Sequence, residues 1–189
     1  MTVARGESTA PSCLTPSEVG ESSVPEGPVA PESYPAGVRT RPEVSVIIPC
    51  HDGAATLPLQ LEALATQEDA PPFEVLLVDN RSTDGLAEVL SSEVARALPL
   101  RRIQADEAQG ASYARNVGIA RSRAHLLMFC DADDVVSRWW LRQGVKTFEV
   151  SPLWSGSAIL LSDPHLEGSL QQIREAFGDS PDWEPPVHE

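Results

Sequence analysis

Short apolar runs alternate with amphipathic stretches over the middle of the chain. Three mostly apolar runs predict strands at residues 44–48, 73–78 and 125–130, and a further strand is predicted at residues 100–104. Apolar residues recurring at three- and four-residue steps predict helices, at residues 57–64, 82–97, 111–121 and 140–148. Strands that alternate with helices over short stretches are typical of βαβ units. The pattern therefore predicts an α/β fold with a mostly parallel open sheet and flanking helices.

The composition changes on both sides of this region. Seven of the seventeen prolines fall before Glu43, where no helical or strand period survives, and this predicts disorder. Near the C-terminus, an apolar run at 157–161 predicts a short strand. A helix is predicted from Asp163-Pro164 to Gly178. We divide the chain into a disordered Pro/Ser/Glu-rich leader, a main domain, a short strand/helix extension and an acidic tail, at residues 1–42, 43–150, 151–178 and 179–189.

Charge narrows the range of functions. The chain carries 28 Asp and Glu against 14 Lys and Arg, a formal net charge of -14. A nucleic-acid binder or a polybasic membrane-surface protein relies on Lys and Arg, so we expect neither function. An acidic protein that handles phosphates must recruit a cation or use backbone amides.

The cysteines and the hydropathy pattern favour an intracellular protein. Three cysteines cannot form a closed set of disulfides, and no CxxC spacing indicates a zinc site. No apolar run reaches the roughly 18 to 20 residues of a membrane span. The first residues lack the apolar stretch of a secretory signal. We therefore predict a reduced, cytoplasmic protein without a transmembrane segment.

Polar clusters follow three of the predicted strands. They are residues 49–52, the pair Asp79 and Asn80, and residues 131–134. In an open parallel sheet, ligands bind beyond the carboxyl ends of the strands. These side chains could instead cap the helices that follow. Three clusters on one edge of the sheet favour a binding site.

The cluster Asp131-Ala-Asp133-Asp134 points to a metal ion. Carboxylates packed this closely repel one another unless a cation lies among them. Mg²⁺ or Mn²⁺ suits all-oxygen ligation, commonly by one or two carboxylates together with substrate phosphates. Such a cation would let an acidic protein hold a diphosphate.

Four segments in order resemble the family 2 glycosyltransferases of the GT-A fold. They are Val-Ser-Val-Ile-Ile-Pro at 44–49, Glu-Val-Leu-Leu-Val-Asp-Asn-Arg-Ser-Thr-Asp-Gly at 74–85, Gly-Ala-Ser-Tyr-Ala-Arg-Asn-Val-Gly at 110–118 and Phe-Cys-Asp-Ala-Asp-Asp at 129–134. The resemblance covers residues 43–148. It implies a nucleotide-diphospho-sugar donor, a divalent metal ion and an inverting transfer to an acceptor that the sequence does not identify.

The resemblance also implies roles for individual residues. Those expected at the nucleotide sugar are Pro49, His51, Asp52, Asp79, Asn80, Gly110, Arg115, Asn116 and Asp131. Those expected at the metal are Asp131, Asp133 and Asp134. Asp52 occupies a position that is more often Asn in the family. Two structural alternatives stay open: Arg115 pairs with Asp79, and Asn116 only caps or packs.

The chain departs from the family after the metal motif. Family members supply the acceptor site and an acidic general base there, whereas only residues 135–189 follow Asp134 here. Asp163, His165 and Glu167 are the clustered candidates for the base, and the competing interpretation of Asp163 is a helix cap. The alternatives are a truncated product, an enzyme completed by a partner protein or oligomer, and a non-catalytic nucleotide-sugar-binding module.

Three further features have competing interpretations. Trp139 and Trp140 could stack an acceptor sugar or belong to the core. Cys50 and Cys130 are expected to pack as free thiols on neighbouring strands. The segment 126–136 also resembles the nucleophile loop of haloacid-dehalogenase phosphatases. That motif normally opens its domain, whereas three βα units precede it here.

Overall fold

A computed structural model describes residues 41–156 and 169–177 of the chain. The predicted strand at 157–161, the start of the C-terminal helix, nearly all of the leader and the acidic tail lie outside the described residues. None of the helices in the described ranges has both the length and the apolar character needed to cross a bilayer.

Four parallel strands form the sheet, in the order β3-β2-β1-β4. They are β1 (Val44–Cys50), β2 (Phe73–Asp79), β3 (Leu100–Gln104) and β4 (Leu126–Phe129). Every residue of the central strand β1 is buried, because helices or loops cover both faces of the sheet. This burial explains why β1 is a continuous apolar run rather than an alternating one. The predicted α/β class with a parallel sheet is confirmed.

Six helices accompany the sheet in the described residues. They are α1 (Leu57–Ala65), α2 (Leu86–Leu90), α3 (Glu93–Ala97), α4 (Ala111–Arg121), α5 (Trp140–Val150) and α6 (Leu170–Phe177). The helix α4 packs on β1 and β2, and it approaches closely at Gly118. A Cβ there would lie 2.5 Å from the Ile47 side chain. The larger core on the opposite face joins α1 and α5 to Ile48 and Leu77.

The single helix predicted over 82–97 is wrong. The structure has two short helices, α2 and α3, separated at Ser91 and Ser92. Ser92 adopts an extended conformation, and its Oγ accepts the Ala95 N–H at 3.2 Å, so that it begins α3 as an N-cap. Serine competes for backbone hydrogen bonds, which explains the break. Val94, assigned to the apolar face, is 37% exposed.

A buried carboxylate holds the amino end of the sheet together. Glu74 on β2 is only 5% exposed. It accepts hydrogen bonds from Ser45 Oγ at 2.8 Å and from the Arg123 backbone N–H at 2.7 Å, and it pairs with Arg101 Nη1 at 3.1 Å. Ser45 also accepts the Ala124 N–H at 3.2 Å. These bonds fix the turn between α4 and β4 against the two central strands.

Candidate functional site

A cleft of about 430 Å³ opens at the carboxyl end of the sheet. It brings together seven of the residues that the sequence predicts at the site: Pro49, His51, Asp52, Asn80, Gly110, Asp131 and Asp133. Cys50, Gly53, Thr56, Gln109, Ala111, Ala114 and Ala132 complete the lining. A cavity of about 520 Å³ lies between α1 and α6, and its lining shares no residue with the predicted site.

The loop after β1 is bonded to the loop after β2. Asp52 has φ 51°, a left-handed conformation that Asp and Asn tolerate better than most residues. Its backbone N–H donates to Ser82 Oγ at 3.1 Å, and its Oδ1 accepts the Thr83 N–H at 2.7 Å. This Thr83 hydrogen bond lowers the pKa of Asp52, and the neighbouring His51 adds to the effect. The left-handed conformation is therefore compatible with Asp at this position as well as with Asn.

Asp79 lies under the cleft rather than on its surface. It is 1% exposed, with Oδ2 at 2.5 Å from Arg102 Nη2 and Oδ1 accepting the Ser82 N–H at 2.9 Å. Burial alone would raise the pKa of Asp79, but the bonds from Arg102 and Ser82 outweigh it, so the pKa is lowered. Arg102 is therefore the ion partner of Asp79. The alternative pair between Arg115 and Asp79 is wrong.

Asn80 fastens the loop between β3 and α4. Its amide nitrogen donates to the carbonyls of Ala105 and Ala108, the latter at 2.7 Å, and its Oδ1 accepts the Gly110 N–H at 2.8 Å. The Asn80 carbonyl also bonds His51 Nδ1 at 2.8 Å. The side chain lines the cleft, but its hydrogen-bonding groups are engaged by the protein. Asn80 thereby positions the residues that begin α4.

The N-terminus of α4 faces the cleft. Gly110 has φ 122°, a conformation that favours glycine, and no side chain caps the helix. The first backbone N–H groups of a helix lack intrahelical partners and attract anions. Ala111 and Ala114 are small, so the cleft reaches these groups. Asn116 is exposed farther along α4 and does not line the cleft.

The acidic loop, defined here as residues 131–134, follows β4. Asp131 Oδ1 pairs with Arg115 Nη2, and about half of the Asp131 side chain is exposed. The Asp131 N–H donates to Asp134 Oδ2 at 2.7 Å, and the Asp134 N–H donates to the Asp131 carbonyl at 3.2 Å. Partial desolvation raises the pKa of Asp134, and the charges of Asp131 and Asp133 raise it further. Asp133 is exposed and lines the cleft.

These carboxylates fit a metal ion that the substrate helps to hold. Within residues 41–156 and 169–177, no three His, Cys, Asp or Glu side chains already converge as a metal site. Asp134 is turned into its own loop, which leaves Asp131 and Asp133 on the cleft. Mg²⁺ characteristically binds through one or two carboxylates and takes further oxygens from phosphates and water. The donor set therefore suits Mg²⁺ or Mn²⁺ in the presence of a phosphorylated ligand.

Comparison with known proteins decides the family. The model of "Glycosyl transferase family 2" matches residues 45–154. The chain belongs to this family. The alternative phosphatase interpretation is therefore wrong. Three strands precede β4 and the acidic loop that follows it, whereas a nucleophile loop normally opens its domain.

Relatives of this family 2 chain are named as glycosyltransferases. It is 38% identical over 109 residues to Glycosyltransferase AglE of Haloferax volcanii, covering 57% of this chain and 36% of that protein. It is 31% identical over 107 residues to the amylovoran biosynthesis glycosyltransferase AmsB of Erwinia amylovora, covering 56% and 35%. The chain thus spans about a third of the length of these relatives.

The GT-A fold is confirmed by solved structures. The crystal structure of S. aureus TarS 1-349 in complex with UDP matches with a TM-score of 0.51 and 28% sequence identity. The match covers 57% of this chain and 32% of that one. The same TarS fragment has been solved in complex with UDP-GlcNAc. Family and fold are thereby established for the part of the chain that carries the cleft.

Two further sets of predicted residues are the candidates for the general base and the paired tryptophans. Asp163, His165 and Glu167 fall outside the described residues. Trp140 packs on the core. The Arg138 guanidinium lies 5.4 Å from the ring centre of Trp139. Neither tryptophan lines the cleft.

The two strand-end cysteines are free and buried, as predicted. Desolvation raises the pKa of both the Cys50 and the Cys130 thiols. Gln109 on the cleft and Gln60 beneath it were not predicted, because neither residue type stands out in a charged motif.

Proposed function

We propose that this chain binds a nucleotide-diphospho-sugar donor in the cleft and carries the donor half of an inverting, metal-dependent glycosyltransferase. The observation that carries the proposal is the meeting of two cleft carboxylates, Asp131 and Asp133, with the uncapped N-terminus of α4. Family membership supports the reaction class. The UDP and UDP-GlcNAc complexes of TarS support the ligand class.

The diphosphate would lie between α4 and the acidic loop. The free N–H groups at the start of α4 would bind phosphate oxygens, and Gly110 leaves open space there because a Cβ would meet nothing within 4 Å. Arg115 would share its guanidinium between Asp131 and a phosphate, since it already reaches the edge of the acidic loop. These positive groups offset the acidity of the site.

Asp131 and Asp133 would hold Mn²⁺ or Mg²⁺, and Asp134 would hold the turn of the loop that presents them. When bound, the ion supplies charge stabilisation to the departing diphosphate. The remaining positive charge comes from α4 and Arg115, which are fixed before the donor arrives. Such preorganisation is the main source of electrostatic catalysis in many enzymes.

The nucleoside would lie along the wall formed by the loops after β1 and β2. Pro49, His51 and Asp52 line the cleft at the end of β1. Gln109 lines it from the loop before α4. Asp79 and Asn80 would act by holding those loops, because their polar atoms are engaged by the protein. Asn116 keeps its proposed place at the nucleotide sugar only if the ligand extends along α4.

In an inverting transfer, an acceptor hydroxyl attacks the anomeric carbon as the bond to the diphosphate breaks. A base within ~3 Å of that hydroxyl takes its proton. We propose Asp163, His165 or Glu167 for this role, or a residue supplied by a partner protein or a second copy. The acceptor would be a glycan, a lipid or a small molecule.

Isothermal titration of the full chain with UDP- and GDP-sugars, with and without Mn²⁺, tests the proposal. We expect one donor to bind in a Mn²⁺-dependent way, and assay of nucleoside diphosphate release then tests turnover. Binding without hydrolysis or transfer across a broad acceptor panel would favour the non-catalytic module instead. No binding of any donor would contradict both functions.

A further inference from the structure

A fully buried glutamine lies beneath the acidic loop. Gln60 on α1 is 0% exposed and stands among apolar neighbours of the same helix, including Leu57, Leu61 and Leu64. Burying an amide side chain costs free energy unless both its donor and its acceptor find partners. The partners of Gln60 therefore show what this polar residue does in the core.

Both partners belong to the chain on either side of the acidic loop. Gln60 Nε2 donates to Cys130 Sγ at 2.9 Å, and Cys130 directly precedes Asp131. Gln60 Oε1 accepts the backbone N–H of Val136 at 3.1 Å, two residues after Asp134. One side chain thus holds the entry and the exit of the loop to the same point on α1.

A second glutamine continues this attachment. Gln67, just past the end of α1, donates to the Ser137 carbonyl at 2.6 Å and accepts the Leu141 N–H at 3.0 Å. The Glu68 N–H bonds the Arg138 carbonyl at 2.9 Å. The segment that follows the acidic loop therefore runs along α1. Gln60 is the member of this set nearest to the carboxylates.

We infer that Gln60 is a positioning residue for the donor site, an inference that rests on the proposed function. Asp131, Asp133 and Asp134 repel one another, and this repulsion tends to spread the acidic loop. Gln60 opposes the spreading because it fixes both ends of the loop. It thereby keeps Asp131 and Asp133 facing the N-terminus of α4.

The variant Gln60→Met tests this inference. Methionine is close to glutamine in length and volume, so packing is largely kept while both hydrogen bonds are lost. The matched control is Val75→Ala, a fully buried β2 residue in the same core. This control lowers global stability and leaves the loop attachments in place.

Two readouts separate positioning from folding. In hydrogen exchange of the free protein, we expect Gln60→Met to speed exchange at Val136 and the acidic loop by about tenfold or more relative to β1. We also expect the Mn²⁺ concentration for half-maximal nucleotide binding to rise about tenfold, as loss of an outer-shell partner does at metal sites. Val75→Ala should leave the exchange at Val136 unchanged relative to β1, and it should leave the Mn²⁺ concentration for half-maximal binding at the wild-type value.

A double-mutant cycle tests the hydrogen bond between Gln60 and Cys130. Cys130→Ala removes one of the two partners, so its effect should be smaller than that of Gln60→Met. The two changes should combine less than additively, because Gln60→Met already removes the shared bond.

The outcomes distinguish the two proposals. If Gln60→Met binds nucleotide with the wild-type Mn²⁺ requirement, the inference is overturned while the proposed function stands. If the wild-type chain binds no nucleotide at any Mn²⁺ concentration, the proposed function fails first.

Discussion

Glu74 at the amino end of the sheet and the acidic loop at the carboxyl end place their carboxylates in opposite environments. At the amino end, Glu74 is buried and receives bonds from Ser45, Arg101 and the Arg123 backbone. At the carboxyl end, the acidic loop carries three carboxylates, of which Asp131 pairs with Arg115 and Asp133 is exposed to the cleft. The amino end is therefore complete without a ligand, whereas the carboxyl end carries surplus negative charge.

This difference separates residues that hold the fold from residues that await a ligand. A carboxylate with every acceptor position filled contributes to stability, and losing it leaves buried donors without partners. A carboxylate held next to like charges lowers stability unless a cation arrives. We therefore expect substitutions of buried, fully bonded carboxylates such as Glu74 and Asp79 to change stability, and substitutions in the acidic loop or at its partner Arg115 to change binding.

The largest effect is expected from Glu74→Ala. It leaves the Ser45 hydroxyl and the Arg123 N–H without their acceptor in the interior, and we expect a loss of about 3 kcal/mol in the free energy of unfolding. Urea denaturation measures this loss. Nucleotide affinity measured well below the melting temperature should stay within twofold of wild type. A tenfold loss of affinity in folded Glu74→Ala would contradict the claim that Glu74 acts on stability and not on binding.

The next effect is expected from Asp79→Asn, and it depends on pH. We expect a loss of about 2 kcal/mol at pH 7, because charged bonds to Arg102 and Ser82 are weakened. The folded-state pKa of Asp79 is lowered, so its stabilisation is present above the unfolded value near 3.9 and disappears as pH falls through the folded value. Urea denaturation between pH 7 and pH 3 should show wild type converging on Asp79→Asn. A gap that stays constant would contradict this assignment.

Arg115→Ala should affect binding more than stability. The pair with Asp131 is partly exposed, so we expect a stability change below about 1 kcal/mol. Donor affinity should fall about tenfold, or about 1.4 kcal/mol, because a phosphate loses its guanidinium. Titration of the donor in Mn²⁺ measures this loss. Arg115→Lys is the control, and it should recover only part of the affinity because lysine lacks the planar fork.

The smallest effects are expected at Asp52. Asn tolerates the left-handed conformation and can accept the Thr83 N–H, so Asp52→Asn should melt at the wild-type temperature. Asp52→Ala should melt at a slightly lower temperature, because it loses the hydrogen bond and fits φ 51° poorly. Thermal denaturation of the pair compares them. Equal stability of the two variants would show that the conformation is not constrained.

The sequence was most informative where burial on both faces produces continuous apolar runs. The central strands β1 and β2 were predicted for this reason, although β1 extends past Pro49 to Cys50. β4 is shorter than its apolar run, and β3 was predicted although only two of its five residues are apolar. The break between α2 and α3 was missed. The apolar spacing runs through Ser91 and Ser92, and local hydrogen bonds decide the outcome.

At the site, residue types could be predicted but not partners. The motifs placed Asp131 and Asp133 on the cleft, yet the choice of Arg102 rather than Arg115 for Asp79 depends on the β2–β3 register. The engagement of Asn80 depends on where the loop before α4 turns. The role of Gln60 could not be predicted for the same reason, since its partners are 70 and 76 residues away in the sequence.

The central claim is that the surplus negative charge at the carboxyl end is a binding site for a metal ion and a diphosphate. Thermal denaturation of wild type and Asp133→Ala, with and without Mn²⁺, against UDP, GDP, dTDP and CDP tests it most directly. We expect one nucleotide with Mn²⁺ to stabilise wild type by several degrees, or about 2.7 kcal/mol at 100 times its Kd. Asp133→Ala loses one of the like charges of the loop, so it should be at least as stable as unliganded wild type and should gain nothing from nucleotide or Mn²⁺. Equal ligand stabilisation of both proteins, or none of either, would contradict the claim.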